Sequence, residues 1–160
     1  MNIDDFIING FTHTEDHEII NMIGKLPKLS DWVYCKKERK VRYPENVSLQ
    51  KAQSYIFEKY ITPFSSKYDK SYFYIWEGIA TTIWHNDLGE GCNLTFLYYL
   101  NDVQDGGEIC FRVNKKETGH IKPKKGLLVM LSQDSRVEHK VNPTKEVRMV
   151  CNFGYNIKWI

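Results

Sequence analysis

The chain has 160 residues, 42% of them hydrophobic and 26% charged, with 22 Lys and Arg against 20 Asp and Glu for a formal net charge of +2. That length suits one ordinary domain, able to bury roughly 68–70% of its unfolded surface. The small charge argues against a footprint for duplex nucleic acid or a membrane surface. Cys35, Cys92, Cys110 and Cys151 are scattered without a CxxC, which suits neither a disulfide framework nor a zinc ribbon and points to a reducing compartment. Met1-Asn2-Ile3-Asp4-Asp5 is acidic and lacks the basic and apolar stretches of a secretory signal. No apolar run approaches the ~18–20 residues of a membrane span, so a cytoplasmic setting is the expectation.

The first apolar segment, Phe6-Ile7-Ile8, ends at the turn pair Asn9-Gly10. Thr12 and Glu15 are spaced as a capping box, and Ile19, Ile20, Ile23 and Leu26 then recur at helical spacing until Pro27. His13 and His17 are four apart, a spacing that can hold zinc on a helix. No other ligand is obvious, and a solvated helix end is the plainer reading. Trp32-Val33-Tyr34 begins as a strand and runs into Lys36-Lys37-Glu38-Arg39-Lys40. Such a run reads as a solvated loop or protected edge strand, with a substrate lid over residues 33–47 as the functional alternative.

A second helix follows Asn46. Leu49, Ala52, Ile56, Phe57, Tyr60, Ile61 and Phe64 form one stripe at helical spacing, which needs an apolar sheet face to cover. From Tyr72 onward the pattern is of strands. Thr81, Ile83, His85 and Asp87 are expected on one face of a strand. Asn93 to Leu100 alternates Thr95, Leu97 and Tyr99 against Leu94, Phe96, Tyr98 and Leu100. Asp105-Gly106-Gly107 is a turn before a strand from Glu108 to Val113, Asn114 to Thr118 a polar connection, and Ile121 a short strand. After the turn Pro123-Lys124-Lys125-Gly126, Leu127 to Leu131 reads as buried. Val137, His139 and Val141 share a face. In the last strand Arg148, Val150 and Asn152 oppose Met149, Cys151, Phe153 and Tyr155. About eight short strands after two helices argue an α+β fold, a β-sandwich or jelly roll backed by helices. With no linker or repeat, residues 1–160 are expected to form one domain, with helical support over about 1–70 and the β core over about 71–160.

Residues that could carry chemistry converge late in the chain. In extended backbone His85 and Asp87 point the same way. A second imidazole from another strand, His139, would complete the two-His, one-carboxylate triad that holds non-haem Fe(II) on one face and leaves the opposite face open. Arg148 lies on the polar face of the last strand, and a buried Arg requires an anionic partner.

The region from Tyr72 to Tyr155 resembles the 2-oxoglutarate and Fe(II)-dependent oxygenases, in particular the prolyl-hydroxylase-like branch. The resemblance is carried by Trp84-His85-Asn86-Asp87, Leu97-Tyr98-Tyr99-Leu100-Asn101, Gly106-Gly107-Glu108-Ile109, Ile121-Lys122-Pro123, and His139 followed by Arg148. It implies a double-stranded β-helix in which His85, Asp87 and His139 bind Fe(II). Arg148 and Tyr99 would hold the distal carboxylate of 2-oxoglutarate, Leu97 and Ile109 would line its pocket, and Asn152 would sit beside it. It also implies release of succinate and CO2, with ascorbate as reductant. Trp76, Thr82, Trp84 and Asn86 are the substrate-pocket candidates. The departures concern the substrate. Many prolyl hydroxylases carry a Trp six residues after the Arg, where this chain has Gly154, and a Tyr where it has Thr82. A prolyl residue of a peptide or protein is the expected substrate. The same chemistry on a free amino acid or other small molecule, or a non-catalytic metal-binding jelly roll, is the alternative. Gly154 also replaces the second Arg that nucleic-acid demethylases often carry there, which argues against a nucleobase.

Overall fold

The computed structural model describes residues 1–24, 46–79, 82–88 and 91–159, together with the backbone of 33–35 and 40–42. Leu26, Pro27, Trp32, Thr81 and the charged residues Lys36 to Arg39 lie outside the described residues, and so does much of the expected lid.

Among the described residues three α-helices and ten strands follow in order: α1 (Ile3–Asn9), β1 (Phe11–Glu15), α2 (His17–Ile23), β2 (Val33–Cys35), β3 (Lys40–Arg42), α3 (Val47–Ile56), β4 (Tyr68–Gly78), β5 (Leu94–Tyr99), β6 (Ile109–Val113), β7 (Lys116–Ile121), β8 (Leu127–Ser132), β9 (Val137–Val141) and β10 (Arg148–Ile157). They build a seven-stranded sheet in the order β1-β8-β5-β10-β4-β3-β2 and a three-stranded sheet in the order β7-β6-β9. All ladders are antiparallel. Setting aside the β2–β3 hairpin at one edge, eight strands form the jelly-roll core, as expected.

The large sheet is apolar on both faces. One face carries Leu94, Phe96, Tyr98, Cys151, Phe153 and Tyr155 and packs under Ile19, Ile23, Leu49, Ala52 and Ile56 of α2 and α3. Each such side chain contributes roughly 1.5–3 kcal/mol on full burial. The phenol hydroxyls pair across this layer, Tyr98 Oη donating to the Asp16 carbonyl (2.9 Å) and Tyr155 Oη to the Gln53 carbonyl (2.6 Å). The other face brings Leu97, Tyr99, Val129, Leu131 and Val150 against Ile109, Phe111 and Ile121 of the small sheet. The alternation of Asn93 to Leu100 thus separates the two cores.

The N-terminal elements differ from the sequence reading. Phe6-Ile7-Ile8 lies in α1, capped by Asn2 and closed by Gly10 in the left-handed region. Thr12 does not cap a helix. Phe11 to Glu15 instead pairs with β8, and Phe11 stacks on Phe111 at 3.9 Å between centroids. Two β-branched threonines and an apolar partner edge outweigh the weak capping signal. Asp16 is the cap of α2, accepting from Glu18 N–H (3.0 Å). The stripe after Asn46 holds, but the backbone widens into one π-helical turn at Phe57–Ile61, which brings Tyr60 Oη to donate to Asp16 (2.6 Å). The polar connection after Asn114 is shorter than expected. Asn114 and Lys115 take positive φ as a two-residue hairpin turn, and β7 then runs six residues. No helix among the described residues is long and apolar enough to cross a membrane.

Candidate active site

The segment carrying His85 and Asp87 is not the regular strand that its alternation suggested. Only a single bridge, His85 opposite His139, joins it to a strand. Ile83, placed on the inner face by alternation, is 84% exposed. Separate tertiary contacts hold the segment instead. Thr82 N–H donates to the Val141 carbonyl (3.2 Å), and Thr82 Oγ1 accepts from Val141 N–H (2.9 Å). His85 and His139 exchange backbone hydrogen bonds of 3.0 and 2.8 Å. Asp87 N–H donates to Gln133 Oε1 (2.9 Å). β9 is therefore the rail along which the first imidazole is set beside the second.

The ligand atoms of His85, Asp87 and His139 all lie within 4.8 Å of one another. His85 Nε2 is 3.6 Å from Asp87 Oδ1, and His139 Nε2 is 3.6 Å from Asp87 Oδ2. These separations are long for hydrogen bonds and suit three donors around a shared ion. His85 Nδ1 lies 2.8 Å from the Ile83 carbonyl. That oxygen can only accept, so Nδ1 carries a ring proton and Nε2 is the nitrogen left to face a metal. Burial pushes His139 down to about 4, the Asp87 carboxylate opposing the fall and the His85 and Arg148 charges adding to it. The ring is thus neutral at pH 7, as a metal ligand must be. Two imidazoles and one carboxylate fit Fe(II).

Next to this cluster the inner face of three adjacent strands forms a grid. Register sets Tyr99, Leu97 and Thr95 of β5 opposite Val150, Asn152 and Gly154 of β10, which in turn oppose Trp76, Tyr74 and Tyr72 of β4. Arg148 opens the β10 row and is 6% exposed. Its guanidinium lies over the Trp76 ring, 4.6 Å from the centroid. Arg148 Nε, Tyr99 Oη and Asn152 Oδ1 are buried without a hydrogen-bond partner. Burial raises the Tyr99 phenol and the Arg148 charge lowers it, for a net rise that keeps it protonated. Two buried donors lacking an acceptor beside a permanent cation make a seat for a carboxylate. The residues fit 2-oxoglutarate as well as they fit the metal.

The triad and the Arg148 seat share one cavity of about 320 Å³. Trp76, Thr82, Leu97, Ile109 and Asn152, named from sequence, line it together with His85, Asp87, His139 and Arg148. Tyr99 lies behind the lining, fully buried. Trp84 and Asn86 are not on the cavity wall. Trp84 packs against two cations of the small sheet, Arg112 of β6 at 4.6 Å from the ring centroid and Lys140 of β9 at 4.7 Å, a cation–π arrangement that holds the loop. His13 and His17 join no metal cluster among the described residues. Sequence reading missed Tyr74, Val141 and Val150 as lining residues, although each lies two positions from a residue it did name. It also missed Gln133, for which no local signal existed.

Residues 72–156, just over half of the chain, match the family model described as 2OG-Fe(II) oxygenase superfamily. Curated proteins offer no match. Among solved structures, a prolyl-4-hydroxylase from Pseudomonas putida superposes with a TM-score of 0.68 at 12% identity, covering 98% of this chain and 97% of that one. A Trichoplax adhaerens prolyl hydroxylase in complex with a hypoxia inducible factor oxygen degradation domain peptide fragment gives 0.66 at 18%, covering 97% and 87%. The viral collagen prolyl hydroxylase of Paramecium bursaria Chlorella virus-1, in its 2-oxoglutarate complex, gives 0.60 at 16%, covering 93% and 97%. At these identities the likeness is one of fold. The family-model match is one of sequence, and by it the chain belongs to the 2-oxoglutarate and Fe(II)-dependent oxygenase superfamily, whose members are dioxygenases that use both groups.

Proposed function

We propose that the protein hydroxylates an unactivated C–H bond, with a prolyl residue of a peptide or protein as its substrate. One observation carries the chemistry: a single cavity is lined by three metal-type donors within 4.8 Å of one another and by the buried Arg148, whose Nε has no hydrogen-bond partner, with the partnerless Tyr99 Oη buried behind that lining. Bound Fe(II) with 2-oxoglutarate and dioxygen supplies the oxidation, one oxygen atom entering the product and the other the succinate formed as CO2 is lost.

The roles of the chain's own residues follow. His85, Asp87 and His139 would hold Fe(II), which would supply the oxidising chemistry at the cavity. Arg148 grips the distal carboxylate of 2-oxoglutarate with its planar fork, and Tyr99 donates a further hydrogen bond to it. Leu97, Ile109, Val141 and Val150 keep the cavity apolar, which strengthens every ionic contact within it. The likeness of fold to prolyl hydroxylases, one of them bound to a peptide, supports the peptide substrate, and Tyr74 and Trp76 offer an aromatic wall for a proline ring. A small-molecule substrate is the second reading, because Gly154 stands where many prolyl hydroxylases carry a Trp, although the Tyr72 ring occupies the space beside it.

The test is succinate formation from 2-oxoglutarate by purified protein with Fe(II), ascorbate and air, with His85→Ala as control. Proline-containing peptides and free amino acids are then screened by mass spectrometry for a gain of one oxygen. Succinate that disappears in the variant is the expected result. Retained turnover in His85→Ala would refute the ligand assignment, and a protein that binds metal and 2-oxoglutarate but never forms succinate would be a binding module. Oxygen gained only by a free amino acid would replace the peptide substrate with a small one.

A further inference from the structure

We propose that Gln133 is the positioning residue that holds Asp87 in the metal-binding constellation, an inference that rests on the metal reading above. Gln133 continues the inward alternation of β8 one step past its end, after Leu127, Val129 and Leu131. It is a polar residue at an apolar position, 5% exposed, and burial at that level requires that both ends of the amide be satisfied. Both are. Gln133 Nε2 donates to Thr95 Oγ1 (2.9 Å), and Gln133 Oε1 accepts from Asp87 N–H (2.9 Å). A backbone N–H can only donate, so the carbonyl end must face Asp87. The amide end then falls to the hydroxyl. Thr95 is itself fully buried in the middle of the large sheet, opposite Leu131 on β8 and Gly154 on β10. Gln133 N–H is fixed in turn by the Asn93 carbonyl (3.0 Å).

This relay runs from the buried middle of the large sheet to the least regular part of the site. The ligand segment belongs to no strand. Its bridge to β9 fixes His85, and Thr82 fixes the residues before it, but neither contact reaches the backbone of Asp87. The hydrogen bond to Gln133 does, and it sets the direction from which the carboxylate meets His85 and His139. Asp87 is the single anionic ligand of the three. Displacing it would cost the site both its charge and its facial geometry, whereas loss of Gln133 should leave the Arg148 seat, on a different strand row, intact.

The experiment titrates the purified metal-free chain with Mn(II) alone, following the EPR signal of the free ion, and records the melting temperature of each variant alongside. Gln133→Leu, which keeps the volume and removes the acceptor, is expected to weaken Mn(II) binding by about 10–100-fold, the range seen when residues that orient metal ligands are lost. Gln133→Glu is expected to bind no more than about threefold more weakly than the parent, because a carboxylate oxygen still accepts from Asp87 N–H while Thr95 Oγ1 turns to donate to the other. Thr95→Val, which leaves Gln133 in place without its anchor, should fall between them. A merely structural glutamine would lower the melting temperature of Gln133→Leu without changing the affinity of the folded protein, and that result would overturn the proposal. Equal weakening in the Leu and Glu variants would overturn it too. Should Gln133→Leu fail to fold, the other two variants decide: weakened Thr95→Val with preserved Gln133→Glu supports the relay, and unchanged Thr95→Val refutes it. A parent protein that takes up no Mn(II), or takes it up equally well as His85→Ala, would overturn the metal reading itself and this inference with it.

Discussion

Arg148 and Trp76 form a stacked pair, with the guanidinium carbon 4.6 Å from the centre of the indole. The two sit on neighbouring strands one register step apart, Arg148 opposite Gly78 and Trp76 opposite Val150. The stack covers one face of the fork while Nε remains without a partner. A cation–π contact of this kind contributes about 0.5–2 kcal/mol. Trp76→Ala is therefore expected to weaken 2-oxoglutarate binding by roughly 2–30-fold, and Trp76→Phe by less. Calorimetric titration of Mn(II)-loaded protein with 2-oxoglutarate measures it. An unchanged affinity in Trp76→Ala would mean that the stack does not orient the arginine.

Metal binding should register in stability. An ion that binds only the folded chain stabilises it by about 2.7 kcal/mol at a hundredfold excess over its dissociation constant. Mn(II) should raise the melting temperature of the parent protein by several degrees, and a chelator should reverse the rise. Asp87→Ala should show no shift. Both His85 and Asp87 are partly exposed, so their truncation leaves the fold in place for the comparison. A full shift in Asp87→Ala would place the ion elsewhere.

Gly154 has a packing reason. A Cβ built there would overlap the ring of Tyr72, the residue directly opposite on β4, and that ring is stacked on Tyr74 at 5.7 Å between centroids. Gly154→Ala is expected to cost about 1–3 kcal/mol by overpacking. The cost should shrink when Tyr72→Ala is introduced as well, and a denaturant-based double-mutant cycle measures the coupling. Additive losses would show that Tyr72 does not hold that space.

Glu138 supplies a pH dependence. Arg112 bonds it through two nitrogens at 2.8 and 3.0 Å, and Lys115 reaches both oxygens at 2.9 Å. Hydrogen bonds from Arg112, then Lys115, bring its pKa down to about 2 from the ordinary 4.5. A depressed folded-state value means that the stabilisation is complete above about pH 4.5 and is lost as pH falls through about 2. Thermal melts across that window should fall more steeply for the parent than for Glu138→Gln, which is also expected to be the less stable near neutrality. Parallel slopes would show that the ion pairs contribute nothing.

The sequence by itself carried the β core and most of the site. Strands buried on two different faces must alternate two different sets of apolar residues, and that period of two was plain in β5, β9 and β10, while Leu127 to Leu131 of β8 read as one buried run. The α3 stripe was equally plain, since one face of a helix covers one face of a sheet. The same periodicity put Arg148, Val150 and Asn152 on one face, and the spacing of His85 and Asp87 brought His139 into question at all.

What periodicity could not supply was anything settled between strands. Alternation extended the His85–Asp87 segment into a strand because local pattern cannot distinguish a ladder from backbone held by scattered hydrogen bonds to Val141, His139 and Gln133. Trp84, a substrate-pocket candidate from its place beside His85, lies off the cavity lining and against Arg112 and Lys140. Phe11 to Glu15 carried a capping signal and became an edge strand because β8 offered an apolar partner. Nothing near Gln133 or Gly154 announces that one reaches Asp87 and the other makes room for Tyr72. Side-chain facing is a property of a few neighbouring residues and is written in them. Contact between residues tens of positions apart depends on which strands become neighbours and in what register, and only the folded chain decides that.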